Sequence, residues 1–164
     1  MKKVILGATG SIGSSLAKKL VDSGEQVHLV GRDEASLSEL ANELNSTFTT
    51  CDVLEENFSE KIINDLKDEQ VNGLAYCVGS IDLKPLKLTK KSDFMQSFNL
   101  NLVSATEIIK SLADNLKASK GSIVLFSTVA VQQGFPNHAI VSSAKGAVEG
   151  LTLALAAEYA PNIR

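Results

Sequence analysis

The sequence predicts an α/β fold, a single-domain, doubly wound and mostly parallel sheet of Rossmann-like architecture. Three observations predict it. Strand and helix patterns alternate from end to end. Several strands are near-continuous apolar runs, which implies that both sheet faces are covered. The chain opens on Val4-Ile5-Leu6-Gly7-Ala8-Thr9-Gly10-Ser11-Ile12-Gly13, a short β-type run into three glycines spaced three apart, followed by a helical segment. Right-handed crossovers then order the layers, and ligands of such sheets bind beyond the carboxyl ends of the strands.

The elements follow in order. The opening strand turns at Gly7, which lacks a Cβ and can reverse tightly. Gly10 lets backbone N–H groups approach a pyrophosphate, and Gly13 lets the helix Ser14–Val21 pack closely. The helix N-terminus offers unpaired N–H groups and partial positive charge to an anion. Strand two is Gln26–Val30. A helix from about Asp33 to Leu44 presents Leu37, Leu40 and Leu44 on one face, with Asp33 or a neighbour as its cap. Strand three is about Thr47–Cys51. Leu54, Phe58, Ile62 and Leu66 define a third helix. Strand four is Val71–Val78, interrupted by Gly73. A long helix from about Thr89 to Leu116 carries the stripe Phe94, Phe98, Leu102, Ala105, Ile109, Leu112 and Leu116. Strand five is Ser122–Phe126, and a last helix runs from about His138 to Tyr159.

Composition narrows the function. The 164 residues suit one domain, here 1–164. A net charge of −3 with 44% apolar residues gives no reason to expect a nucleic-acid or membrane partner. No apolar run approaches transmembrane length, and Met1-Lys2-Lys3-Val4 is too short for a signal peptide. Cys51 and Cys77 have no metal-ligand spacing and read as buried, reduced thiols, so a cytoplasmic protein without a metal is expected.

Residues just after the strands are the candidate site. After strand two there is no acid at Gly31, and Arg32 follows. An acid there would bind the ribose 2′-hydroxyl of NAD, whereas Arg accommodates the 2′-phosphate of NADP. NADP is therefore expected over NAD, which stays possible; otherwise Arg32 is a solvated charge. Asp52 after strand three can accept from an adenine amino group, cap the third helix, or both. Gly79 after strand four lets backbone pass close to a cofactor or simply turns the chain.

With these residues in view, the whole chain resembles the short-chain dehydrogenase/reductase family. That family opens on Thr-Gly-x-x-x-Gly-x-Gly. Here Leu6 replaces the Thr, Gly7 and Gly13 match, Ser11 replaces the middle Gly, and Gly10 supplies a glycine one place earlier. Asp52-Val53 matches the family's adenine-contact dipeptide. Its Asn-Asn-Ala-Gly falls on Tyr76-Cys77-Val78-Gly79, retaining only the glycine. Its helical Asn falls on Asn101 and its catalytic Ser on Thr128, preceded by Ser127. The resemblance implies NADP held by Gly7, Thr9, Gly10, Ser11, Ile12, Gly13, Arg32, Asp52, Val53, Gly79 and Lys145. It implies catalysis by Thr128, Lys145 and Asn101 on a small carbonyl or alcohol. Thr128 would orient the carbonyl, and Asn101 would hold a relay water or else bond a helix carbonyl.

One departure stands out. The family pairs Tyr and Lys four residues apart on its last helix. Lys145 matches, but the Tyr position is Val141, which carries no proton. Three readings follow: a replacement acid, with His138 or Ser142 as candidates; a non-catalytic NADP-binding sensor or scaffold; or proton exchange through water and Lys145. The family's last strands, beyond the phrase Ala160-Pro161-Asn162-Ile163-Arg164, are absent from the sequence, which implies a piece of a longer chain. Strand five is then expected to be a bare sheet edge. A homo-oligomer through the fourth and last helices is expected by analogy.

Overall fold

A computed structural model describes residues 1–67 and 69–164. β1 (Lys2–Leu6), β2 (Gln26–Gly31), β3 (Thr47–Thr50), β4 (Val71–Tyr76) and β5 (Ser122–Leu125) form one sheet in the order β3-β2-β1-β4-β5. Every neighbouring pair is parallel. The order reverses between β1 and β4, so a crevice opens at the carboxyl ends of these two strands.

Alternation along β1 divides the core. Val4 and Leu6 face one layer with Phe58, Ile62, Ile108, Leu112 and Leu116. Ile5 faces the other with Ala17, Leu29, Leu37 and Ala75. All three β1 residues are fully buried, which is why the strand reads as a continuous apolar run. The first layer holds α3 (Phe58–Leu66) and α5 (Ser104–Ala118); the second holds α1 (Ser11–Asp22) and α2 (Glu34–Glu43). Burying each Leu, Ile or Phe contributes roughly 1.5–3 kcal/mol. Asp33 caps α2 by accepting from Ser36 N at 2.8 Å.

Several expected boundaries move. β4 ends at Tyr76, not Val78. α3 starts at Phe58 with Asn57 before it, so Leu54 lies outside the helix and is 45% exposed. Asp52 therefore does not cap α3; its Oδ1 accepts from Leu54 N at 3.0 Å and closes a local turn. The long helix is α4 (Lys91–Phe98), a π-helical turn Asn99–Val103, and α5 in succession. A wide turn of this kind displaces the side chains after it from the regular face, which spacing alone does not reveal. Phe94 and Phe98 before the turn and Leu102 within it are half-buried, while Ala105, Ile109, Leu112 and Leu116 after it are buried. A short α6 (Ala130–Gln133) precedes α7 (Ala139–Tyr159).

β5 is an edge strand, but its outer side is not bare. Ile123 N donates to Arg164 O at 2.7 Å, and Arg164 N donates to Gly121 O at 3.0 Å. α7 corrects a second expectation. It is long and apolar enough by composition to cross a membrane. Its apolarity serves packing at one end, where Ile140, Val141, Ala144 and Val148 are buried.

Candidate functional site

The turn after β1 is built around two close approaches. Gly7 has φ +74°, and a Cβ on it would meet Cys77 O at 2.9 Å, so the β1 turn abuts the end of β4. A Cβ on Gly13 would lie 2.2 Å from Gly7 O and 2.9 Å from Ala8 Cα. Only glycine lets the first turn of α1 sit directly on the chain reversal. Gly10 occupies the N-cap of α1 and supplies no side-chain cap. The first amides of α1 are left for an external acceptor, an arrangement suited to a phosphate.

A cleft of about 720 Å³ extends from this turn along the carboxyl ends of β1, β2, β3 and β4. Its lining includes Gly7, Thr9, Gly10, Gly31, Arg32, Asp52, Val53 and Gly79. Ser11, Ile12, Gly13 and Lys145 do not border it. Arg32 stands at the rim with its side chain 75% exposed, and its Nη1 lies 3.5 Å from Asp52 Oδ2. Asp33, the nearest other acid on that strand end, is turned onto α2 as a cap. Val53 is tied to the start of α5, because Ser104 Oγ donates to Val53 O at 2.7 Å.

Beyond the cleft, three expected site residues converge. A Cβ on Gly79 would lie 3.0 Å from Asn101 Oδ1 and 3.4 Å from Lys145 Nζ. Asn101 is 1% exposed and sits within the π-helical turn. Its Nδ2 donates to Ser97 O at 2.9 Å, so the amide does bond a helix carbonyl. Its Oδ1 is buried with no partner among the described residues. An orphaned buried acceptor costs on the order of 1–3 kcal/mol, and a water or ligand donor at Gly79 would satisfy it. Burial holds the Lys145 ammonium below its usual range. The turn itself is anchored from below: Tyr76 Oη donates to Leu100 O at 2.7 Å. Desolvation pushes the Tyr76 phenol well above its ordinary value, so it stays a neutral donor.

Val141 is buried, 3% exposed, on α7. Thr128 is half-buried at the end of β5, where its Oγ1 accepts from Ala130 N at 3.3 Å. Ser142 Oγ donates to Ala130 O at 3.2 Å and holds this segment against α7. His138 stands at the N-cap position of α7 but does not cap it with its side chain. Sequence reasoning missed the cleft residues Gln96 and Leu100. It also missed the role of Tyr76, whose one signal was a hydroxyl needing a partner at the end of a buried strand.

A family model described as enoyl-(acyl carrier protein) reductase matches residues 7–164. The chain belongs to the short-chain dehydrogenase/reductase family. It is similar to L-fucose dehydrogenase of Oryctolagus cuniculus, 32% identical over 157 residues, covering 93% of this chain and 55% of that protein. It is similar to L-xylulose reductase of Bos taurus, 30% identical over 166 residues, covering 98% of this chain and 66% of the relative. The chain thus spans about half to two thirds of these curated relatives. L-sorbose reductase from Gluconobacter frateurii, solved with NADPH and L-sorbose, superposes with a TM-score of 0.93 at 20% identity, over 99% of this chain and 66% of that one. That likeness carries the family fold across the whole five-stranded sheet.

Proposed function

We propose that this chain is the dinucleotide-binding part of an NADP-preferring short-chain oxidoreductase acting on a small carbonyl or alcohol. The observation that carries the reading is the convergence of Lys145 Nζ and the partnerless Asn101 Oδ1 beside Gly79. Purely structural residues do not usually keep a buried acceptor empty and a desolvated lysine beside it.

The residues fit a dinucleotide. The first amides of α1, with Gly7, Thr9, Gly10, Ser11, Ile12 and Gly13 around them, would hold the diphosphate. Arg32 would take the 2′-phosphate, and Asp52-Val53 the adenine. When bound, the nicotinamide supplies the hydride chemistry. The chain's own residues do the rest. Lys145 would hold a ribose hydroxyl, its Nζ facing the Gly79 position beside Asn101 Oδ1. Among the described residues Thr128 Oγ1 is engaged as an acceptor, which leaves its hydrogen to donate to a carbonyl. Asn101 Oδ1 would accept from a relay water placed between it and Lys145 Nζ, since both atoms face the Gly79 position.

Val141 supports a second reading, a non-catalytic NADP-binding protein, because it supplies no proton at the position of the family's Tyr. Fluorescence titration separates the cofactor preferences. NADPH is expected to bind at least tenfold tighter than NADH, and Arg32→Ala to remove the difference. Equal affinities in the parent would overturn the NADP assignment. Turnover of any member of a carbonyl panel by the full chain, with NADPH bound, excludes the non-catalytic reading. Two free thiols, Cys51 and Cys77, support cytoplasmic residence. An apolar outer face on α7, with Leu153 75% exposed, supports a homo-oligomer, to be read by light scattering.

A further inference from the structure

We infer that Gln96 reads the purine edge of the bound dinucleotide, alongside Asp52; this deepens the proposed function and rests on it. The cleft places the residue. It is bordered by Asp52, Val53 and Leu54 from the loop after β3, and by Gln96 of α4 and Leu100 of the π-helical turn. One hydroxyl joins these two segments. Ser104 Oγ lies 2.7 Å from Val53 O and 2.9 Å from Asn99 O, and Asn99 follows Gln96 by three residues. The helical run is fixed at both ends of α4. Lys90 N donates to Asp93 Oδ2 at 2.7 Å, and Asn101 Nδ2 donates to Ser97 O at 2.9 Å. Gln96 thus stands on a held helix, which suits a side chain that must meet a ligand in one orientation.

The chemistry of the lining points to a flat, polar-edged ring. Val53, Leu54 and Leu100 are apolar, and Leu54 leaves 45% of its surface uncovered, so a ring lying between these side chains would take apolar surface out of water. The polar groups then face the ring's edge. Asp33 also lines the cleft, but its carboxylate accepts from Ser36 N as the cap of α2. Asp52 Oδ1 accepts from Leu54 N, and Oδ2 keeps lone pairs for a ligand beside Arg32. A carboxylate only accepts, so Asp52 takes one hydrogen of an exocyclic amino group and leaves the other. Among the described lining residues Gln96 carries the one side-chain amide, which offers a donor and an acceptor side by side. Its Oε1 takes the second amino hydrogen while its Nε2 donates to the adjacent ring nitrogen, the two-point pairing by which glutamine recognises adenine.

Gln96→Met in the full chain tests it, because methionine keeps the length and the apolar stem and removes the amide. Two probes are titrated by calorimetry: NADP⁺, and 1,N⁶-etheno-NADP⁺, whose added ring removes both amino hydrogens and leaves the diphosphate and 2′-phosphate intact. The parent is expected to bind NADP⁺ at least about tenfold tighter than the etheno form. Gln96→Met is expected to lose about tenfold in NADP⁺ affinity and to hold the etheno form as the parent does, so that the preference shrinks by about tenfold. A residue that only supported the cleft would weaken both probes by the same factor, and that result overturns the assignment. So does a variant that binds NADP⁺ as tightly as the parent, or a parent that binds NADP⁺ and the etheno form equally. A parent with affinity for neither probe overturns the proposed function itself.

Discussion

Acid should weaken this fold through one residue, His28. The imidazole is fully buried in β2, and each of its nitrogens meets a threonine of β3. The donors can be assigned along the row. Lys2 Nζ donates to Thr47 Oγ1 at 2.9 Å, so that hydroxyl gives its own hydrogen to His28 Nδ1 at 2.8 Å. Thr49 Oγ1 donates to Asp65 Oδ2 at 2.6 Å, so it accepts from His28 Nε2 at 2.9 Å. The chain of bonds runs from an ammonium to a carboxylate through a neutral ring with its hydrogen on Nε2. Desolvation, then the Lys2 charge, lowers the His28 pKa to about 4, against the pull of Asp65 and Glu69. Between about pH 6.5 and 4 the unfolded chain binds a proton that the native chain refuses, so stability falls as pH falls through that window. The fall from the ordinary 6.5 to about 4 corresponds to about 3 kcal/mol. Urea unfolding of the parent and of His28→Gln, followed by circular dichroism from pH 7.5 to 4, measures it. The parent's advantage is expected to shrink by about 3 kcal/mol on acidification. Two curves that stay parallel would refute the reasoning, as would an NMR titration placing His28 near 6.5.

Three further outcomes follow from the geometry. Gly13→Ala sets a methyl 2.2 Å from Gly7 O and is expected to cost at least about 2 kcal/mol in urea while abolishing NADPH binding. Tyr76→Phe strips the donor from Leu100 O beside the π-helical turn; a loss of about 1–3 kcal/mol, read as a lower Tm, is expected together with weaker NADPH binding. Burial holds the Cys51 and Cys77 thiols up at about 11, so dithionitrobenzoate at pH 8 should label them slowly in the native state and within seconds in guanidinium.

The site was unevenly legible in the linear chain. Gly7, Gly10 and Gly13 were legible as a tight strand-to-helix turn suited to a phosphate because their spacing is local. Asp33 announces a cap, and it is one. Asp52 did not reveal which amide it would bind, since that depended on where α3 begins. Asn101 was legible through the family resemblance, as a helical amide that would hold a relay water or bond a helix carbonyl. That its Nδ2 is satisfied while its Oδ1 is empty follows from the π-helical turn and from Gly79, twenty-two residues earlier in the chain.

Local rules, then, were enough for the alternation of strand and helix, the parallel sheet and the turn that would hold a diphosphate. Each depends on periodicity or on neighbours within one or two turns. Folding alone decided what Lys145, Asn101 and Gly79 do together, how Lys2, Thr47, His28, Thr49 and Asp65 line up their hydrogens, and that Ser142 on α7 bonds Ala130 O. Those properties depend on burial and on bond direction between segments far apart in the chain, and neither quantity exists until the sheet has closed around its helices.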